Sequence, residues 1–140
     1  MNCIVKTSTF TAVGLFASMV SSLLGGFDAL LQALLVFMAV DIISGWTSAI
    51  AFKTSDKSQT GRLSSAAGFR GLVKKGCILL IIIVAVYLDI LLGTSGITRD
   101  AVIIAFALNE LVSIMENMSK MGIKMPKPIA NALDILNKKE

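Results

Sequence analysis

Four carboxylates stand inside strongly apolar sequence: Asp41, Asp89, Glu110 and Glu116. An ionised Asp at the centre of a membrane helix costs about 2.5–3.5 kcal/mol on insertion scales, so such groups belong to proton relays, ion paths or water-lined faces. Spacing groups them with other polar residues. Asp41, Ser44, Gly45 and Ser48 follow i, i+3, i+4, i+7, which puts them on one face of a helix. Ala101, Ala105, Asn109, Ser113 and Asn117 recur every fourth residue, flanked by Glu110 and Glu116. Gly14, Ser18 and Ser22 repeat at the same interval, the small-xxx-small pattern that lets helices approach closely in lipid.

Other chemistry lacks its parts. His is absent and Cys3 and Cys77 are far apart, so a zinc centre, a His-based triad and a disulfide framework are not expected. The expectation is a protein that is not an enzyme and has no cofactor, no metal and no nucleic-acid partner. Hydrophobic residues make up 55% of the 140 and charged residues 16%, with mean hydropathy +0.81, which is membrane-protein composition.

The elements that must carry these residues are apolar stretches at 9–24, 29–52, 77–92 and 101–118 in a single membrane domain, 1–140. The first, ~24 Å long as a helix, is a little short of a full span; the second, ~36 Å, crosses with tilt. Short Gly-rich connectors, "GGFD" and "GTSGITRD", alternate with a basic connector at 53–75 and a basic tail at 119–140. The positive-inside rule places the basic segments in the cytoplasm, so an all-α bundle of about four spans has both termini inside. Two other readings concern the first stretch. As an incomplete crossing it leaves three spans and an external amino terminus. As a signal peptide it lacks a small-x-small cleavage site.

Within the basic connector, Arg70, Lys74 and Lys75 beside Phe69, Leu72 and Val73 suit a segment docked on anionic headgroups. In the tail, Pro126 and Pro128 precede Ile129, Ala132, Leu133 and Leu136, the pattern of a short amphipathic helix. This assignment leaves no Lys or Arg at membrane depth to pair with Asp41 and Glu110. Protonation or water held between copies is then their relief, and Asp41, Ser44, Gly45, Ser48, Asn109, Glu110, Ser113, Glu116 and Asn117 are read as a lumen or assembly face. Gly14, Ser18 and Ser22 are read as helix packing.

In order along the chain, "DIISG", "FRGLVKKG", "YLD", "NELVSIMENMSKMG" and the proline at Pro126 resemble the phage holin family that includes toxin-secretion holins of clostridial type. The resemblance runs from about Leu34 to Leu136. It implies a small inner-membrane protein that homo-oligomerises and opens lesions through which a cell-wall hydrolase or a large toxin leaves the cell. It carries no catalytic residues and no cofactor. Membrane carboxylates also suit a small ion- or proton-coupled transporter, although no pair of Gly/Pro-broken spans marks a substrate site. A regulatory partner of another membrane protein is the third reading.

Overall fold

The computed structural model describes residues 2–51, 65–124, 126–129 and 131. Four long helices stand among the described residues: α1 (Asn2–Leu23), α2 (Ala29–Ala51), α3 (Ser65–Leu92) and α4 (Ile97–Lys120). Three of them hold segments long and apolar enough to cross a membrane, at Ala29–Ile50, Gly68–Leu92 and Ile97–Lys120; Ser8–Leu23 is a shorter apolar segment. This is an all-α membrane bundle, as the composition requires. The connector 52–64 and, of the amphipathic helix expected in the tail, Ala132, Leu133 and Leu136 lie outside the described residues.

The inward face of α2 carries Leu31, Leu34, Met38, Asp41 and Ser48, all buried, at alternating intervals of three and four or their sum. On α3 the same rhythm runs through Lys75, Ile78, Ile82, Ala85 and Asp89, of which all but the partly buried Ile78 are buried. A 3.5-residue repeat is the seam of helices packed at shallow left-handed crossings, as in most membrane bundles. In α4 the buried positions are Arg99, Ile103, Glu110 and Ile114. The every-fourth ridge of Ala101, Ala105 and Asn109 is exposed. At about 100° per residue, steps of four drift about 40° each, so that ridge spirals off the packed face.

The main packing is of α4 against both α2 and α3. Leu24, Leu31, Leu34, Met38, Ile82 and Ile103 form the core, and Val20 packs on it. Residues 8–19 of α1 are exposed throughout, including Gly14 and Ser18. Among the described side chains of α1, those that pack on the core belong to its last turns.

Because lipid is as apolar as the core, close packing rather than water exclusion holds such helices together. Leu34→Ala, at a side chain with no exposed surface, is expected to cost about 2 kcal/mol. Thermal unfolding in detergent measures it, with the exposed Leu91→Ala unchanged beside it.

Candidate functional site: a buried charge network

The rhythm of α3 brings Lys75 onto the core face, seven residues (75 − 68) or about 10 Å inside the span beginning at Gly68. Its Nζ lies 3.0 Å from Asp41 Oδ2 and forms an ion pair and hydrogen bond with Glu110 Oε2. All three residues are buried. Asn117 Nδ2 donates to Asp41 Oδ1 at 3.0 Å and to Ser44 Oγ at 3.1 Å, and Ser44 Oγ donates to the Asp41 carbonyl at 3.1 Å. Asp41 is thus held by α3 and α4 together. Among the described residues no buried side-chain nitrogen or oxygen lacks a partner.

This network corrects two expectations. Asp41 and Glu110 do have a basic partner inside one chain, and Lys75 is buried in the bundle, unlike the exposed Arg70 and Lys74. The physical reason is that α3 starts at Ser65, not near Cys77, so Arg70, Lys74 and Lys75 belong to the helix and are spaced around its axis. Lys74 and Lys75 are adjacent, yet about 100° apart around the axis. The signal was present: Lys75 falls three, seven and ten residues before Ile78, Ile82 and Ala85, on their stripe.

The other candidates divide. Ser44 and Ser48 are buried, and Gly45 faces α4, where an added Cβ would lie 3.5 Å from Asn117 Nδ2. Ser113 is half-buried, whereas Asn109 and Glu116 are exposed. The structure therefore brings Asp41, Ser44, Gly45, Glu110 and Asn117 together and leaves Asn109 and Glu116 on the outside.

A second polar cluster, which spacing did not point to, closes the opposite end. Buried Arg99 donates from Nε to the Leu24 carbonyl at 2.7 Å and from Nη2 to the Gly26 carbonyl at 3.1 Å. Its Nη1 reaches Asp28 Oδ2 at 2.6 Å and Asp100 Oδ1 at 2.9 Å. Asp89, near the end of α3, accepts from the backbone N–H groups of Thr98 at 2.9 Å and Arg99 at 2.8 Å and from the Thr94 hydroxyl. A carboxylate on the first N–H groups of a helix satisfies donors that have no partner within the helix and meets the positive end of its dipole. Asp89 is accordingly a cap for α4 supplied by α3.

Hydrogen bonding from Arg99, then from the Leu31 N–H, holds the Asp28 carboxyl below its usual pKa. A lowered folded-state pKa adds stability above the ordinary carboxylate range that is lost as pH falls through the lowered value. Parent and Asp28→Asn are therefore expected to differ in thermal midpoint at neutral pH and to converge in strong acid. Equal midpoints at neutral pH would contradict this.

The chain as a whole has counterparts among known proteins. Residues 18–138 match the bacteriophage holin family. The chain belongs to that family. Over 124 residues it is 38% identical to an uncharacterised protein of Listeria monocytogenes, covering 89% of this chain and 83% of the relative. It is 35% identical over 117 residues to an uncharacterised 14.9 kDa protein in the nagH 3′ region of Clostridium perfringens, with 83% of each chain covered. A probable holin of Bacillus phage phi105 is 31% identical over 106 residues, 76% of this chain and 73% of that one. No solved structure matches. With its spanning helices, this holin-family chain is a multi-pass protein of the bacterial inner membrane.

Proposed function

We propose that this chain acts as a holin: copies self-associate in the cytoplasmic membrane, with both termini inside, and permeabilise it so that a cell-wall hydrolase or a large toxin can leave the cell. The observation that carries this reading is the family match over 18–138, which includes all three spanning helices. The charge network gives it a mechanism. In one chain Asp41 and Glu110 share Lys75, which lets the three cross the bilayer inside the bundle as a closed unit. Opening separates α3 from α2 and α4 and turns the two carboxylates toward water held between copies. The exposed Asn109 and Glu116 on α4 already offer a polar edge for those copies to meet along. Arg70 and Lys74, exposed on the first turns of α3, face anionic headgroups of the inner leaflet.

Induced expression in a bacterial host tests this. Cells should admit a membrane-impermeant dye and, when a cytoplasmic cell-wall hydrolase is co-expressed, lyse abruptly. Saturable uptake of a small solute with an intact dye barrier would instead indicate a carrier.

A further inference from the structure

We infer that copies of this chain join head to tail in the membrane: the outer edge of α3 in one copy, carrying Lys74, packs on the outer edge of α4 in the next, carrying Glu116. The inference rests on the self-association of the holin reading and deepens it by naming the two surfaces that meet, which are unlike.

Each edge is a helix face that the chain itself leaves uncovered. On α3, Arg70, Lys74, Ile81 and Leu88 are all exposed. They follow i, i+4, i+11, i+18, which sets them within about 40° of one another around the axis. On α4, Ala101, Ala105, Asn109 and Glu116 are exposed and lie within about 80°. Among the described residues, neither Lys74 nor Glu116 has an ion-pair partner in its own chain.

The edges match in depth. α3 and α4 are consecutive spans and run in opposite directions, so depth counts forward from Gly68 in one and back from Lys120 in the other. Lys74 lies six residues (74 − 68), about 9 Å, inside its span, and Glu116 four (120 − 116), about 6 Å, inside its own. Farther in, Ile81 and Leu88 are about 20 and 30 Å deep, level with Ala105 and Ala101 at about 22 and 28 Å. Bulky side chains on one edge thus face small ones on the other, which lets membrane helices approach closely.

Charge decides the occupant and its orientation. An anionic lipid phosphate serves Lys74 but repels Glu116. Two α4 edges meeting across a two-fold axis set Glu116 against Glu116, and two α3 edges set Lys74 against Lys74. The unlike pairing puts opposite charges together at one depth, where hydrocarbon makes an unpaired charge costly. As copies meet, Lys74 exchanges headgroups for Glu116, while Arg70, about 3 Å inside the span, stays among them.

One chain presents both edges at once. Around α3, Lys74 stands about 100° to one side of Lys75, and Gly76, which lines a groove between α2 and α3, about 100° to the other. Around α4, Asn109 and Glu116 stand about 100–120° from Glu110 on the side of Asn117, whose amide reaches α2. The α3 edge therefore faces away from α2, and the α4 edge lies beside it. Association through two different surfaces does not close at two copies but continues into a ring or an open row.

Cysteine pairs test this in a background where Cys3 and Cys77 are replaced by Ser. When two differently tagged chains, one with Leu88→Cys and one with Ala101→Cys, share a bacterial membrane, oxidation should link the unlike chains and leave like chains mostly unlinked. A chain with both substitutions should give a ladder of three and more copies. Ala101→Cys chains that link chiefly to one another, or a ladder that stops at two, would overturn the head-to-tail row. Lys74→Glu should cut the unlike link about tenfold, since it sets two carboxylates together. Adding Glu116→Lys should restore the link, which a mere folding defect in the single variant would not allow. An unchanged link in Lys74→Glu overturns the pairing. The link should also persist in vesicles of phosphatidylcholine alone, which offer no anionic headgroup; its loss there would assign Lys74 to lipid and overturn the pairing. Dye entry judges the holin reading separately: a parent chain that forms the ladder without admitting dye keeps the interface and loses that reading.

Discussion

Lys75→Met is expected to destabilise the detergent-solubilised protein by about 3 kcal/mol, because it leaves Asp41 and Glu110 buried together with no cation. Met keeps most of the aliphatic stem that lines the α2/α3 groove, so the loss reports charge rather than packing. The carboxylates cannot easily reach water, since both residues are buried and Asp41 is also tied to Asn117. Adding Asp41→Asn and Glu110→Gln to Lys75→Met should recover most of the stability, because a neutral set no longer carries the cost of unpaired buried charge. In the cell, Lys75→Met should bring lysis forward, since the pairing that holds the closed unit is gone. A single variant as stable as the parent, or a triple variant no better than the single, would show that the ion pairs do not hold the bundle together.

Arg99→Ala should rank next, at about 2–4 kcal/mol, because one guanidinium serves four acceptors, three in the α1/α2 turn and one in α4. Its removal leaves the carbonyls of Leu24 and Gly26 without that donor and frees the end of α1 from the start of α4. Arg99→Lys should rescue only partly, since an ammonium cannot reproduce the planar fork that bonds the carbonyls and Asp28 together. Gly25→Ala approaches the same site from the other side. A Cβ at Gly25 would lie 2.8 Å from Arg99 Nε on a backbone at φ 78°, so it must both strain the turn and push the guanidinium. Limited proteolysis near the α1/α2 turn, together with the thermal midpoint, measures both. By contrast Asp100→Asn should change little, as that carboxylate is 45% exposed. If Arg99→Ala unfolds at the parental temperature with the turn still protected, the clasp does not hold α1.

Some of the site can be read directly along the chain. Asp41, Ser44 and Ser48 share a face because side chains three, four and seven apart on a helix must do so, and α2 buries all three. Asn117, singled out by the same kind of spacing, proves to be the residue that reaches across to Asp41. Lys75 was harder to place. Its neighbours Lys74 and Arg70 suggest a basic surface segment, and only the register of α3 separates it from them. Arg99 was harder still: it reads as part of a short Gly-containing connector but lies in the first turn of α4, and its partners lie 71 to 75 residues away apart from Asp100 beside it.

The sequence by itself determined the membrane class, the helical architecture and the polar stripes, because hydropathy and helical period act over one or two turns and need no partner. It also carried the family resemblance, which the match over 18–138 turned into membership. The tertiary structure decided which charges neutralise one another and which faces stay open. Ion pairing in a low-dielectric interior depends on distances between helices, and a linear sequence holds no such distances. Thus Lys75 moved from the membrane surface to a buried charge network, Asp89 became a helix cap, and residues 8–19 of α1 proved to be exposed.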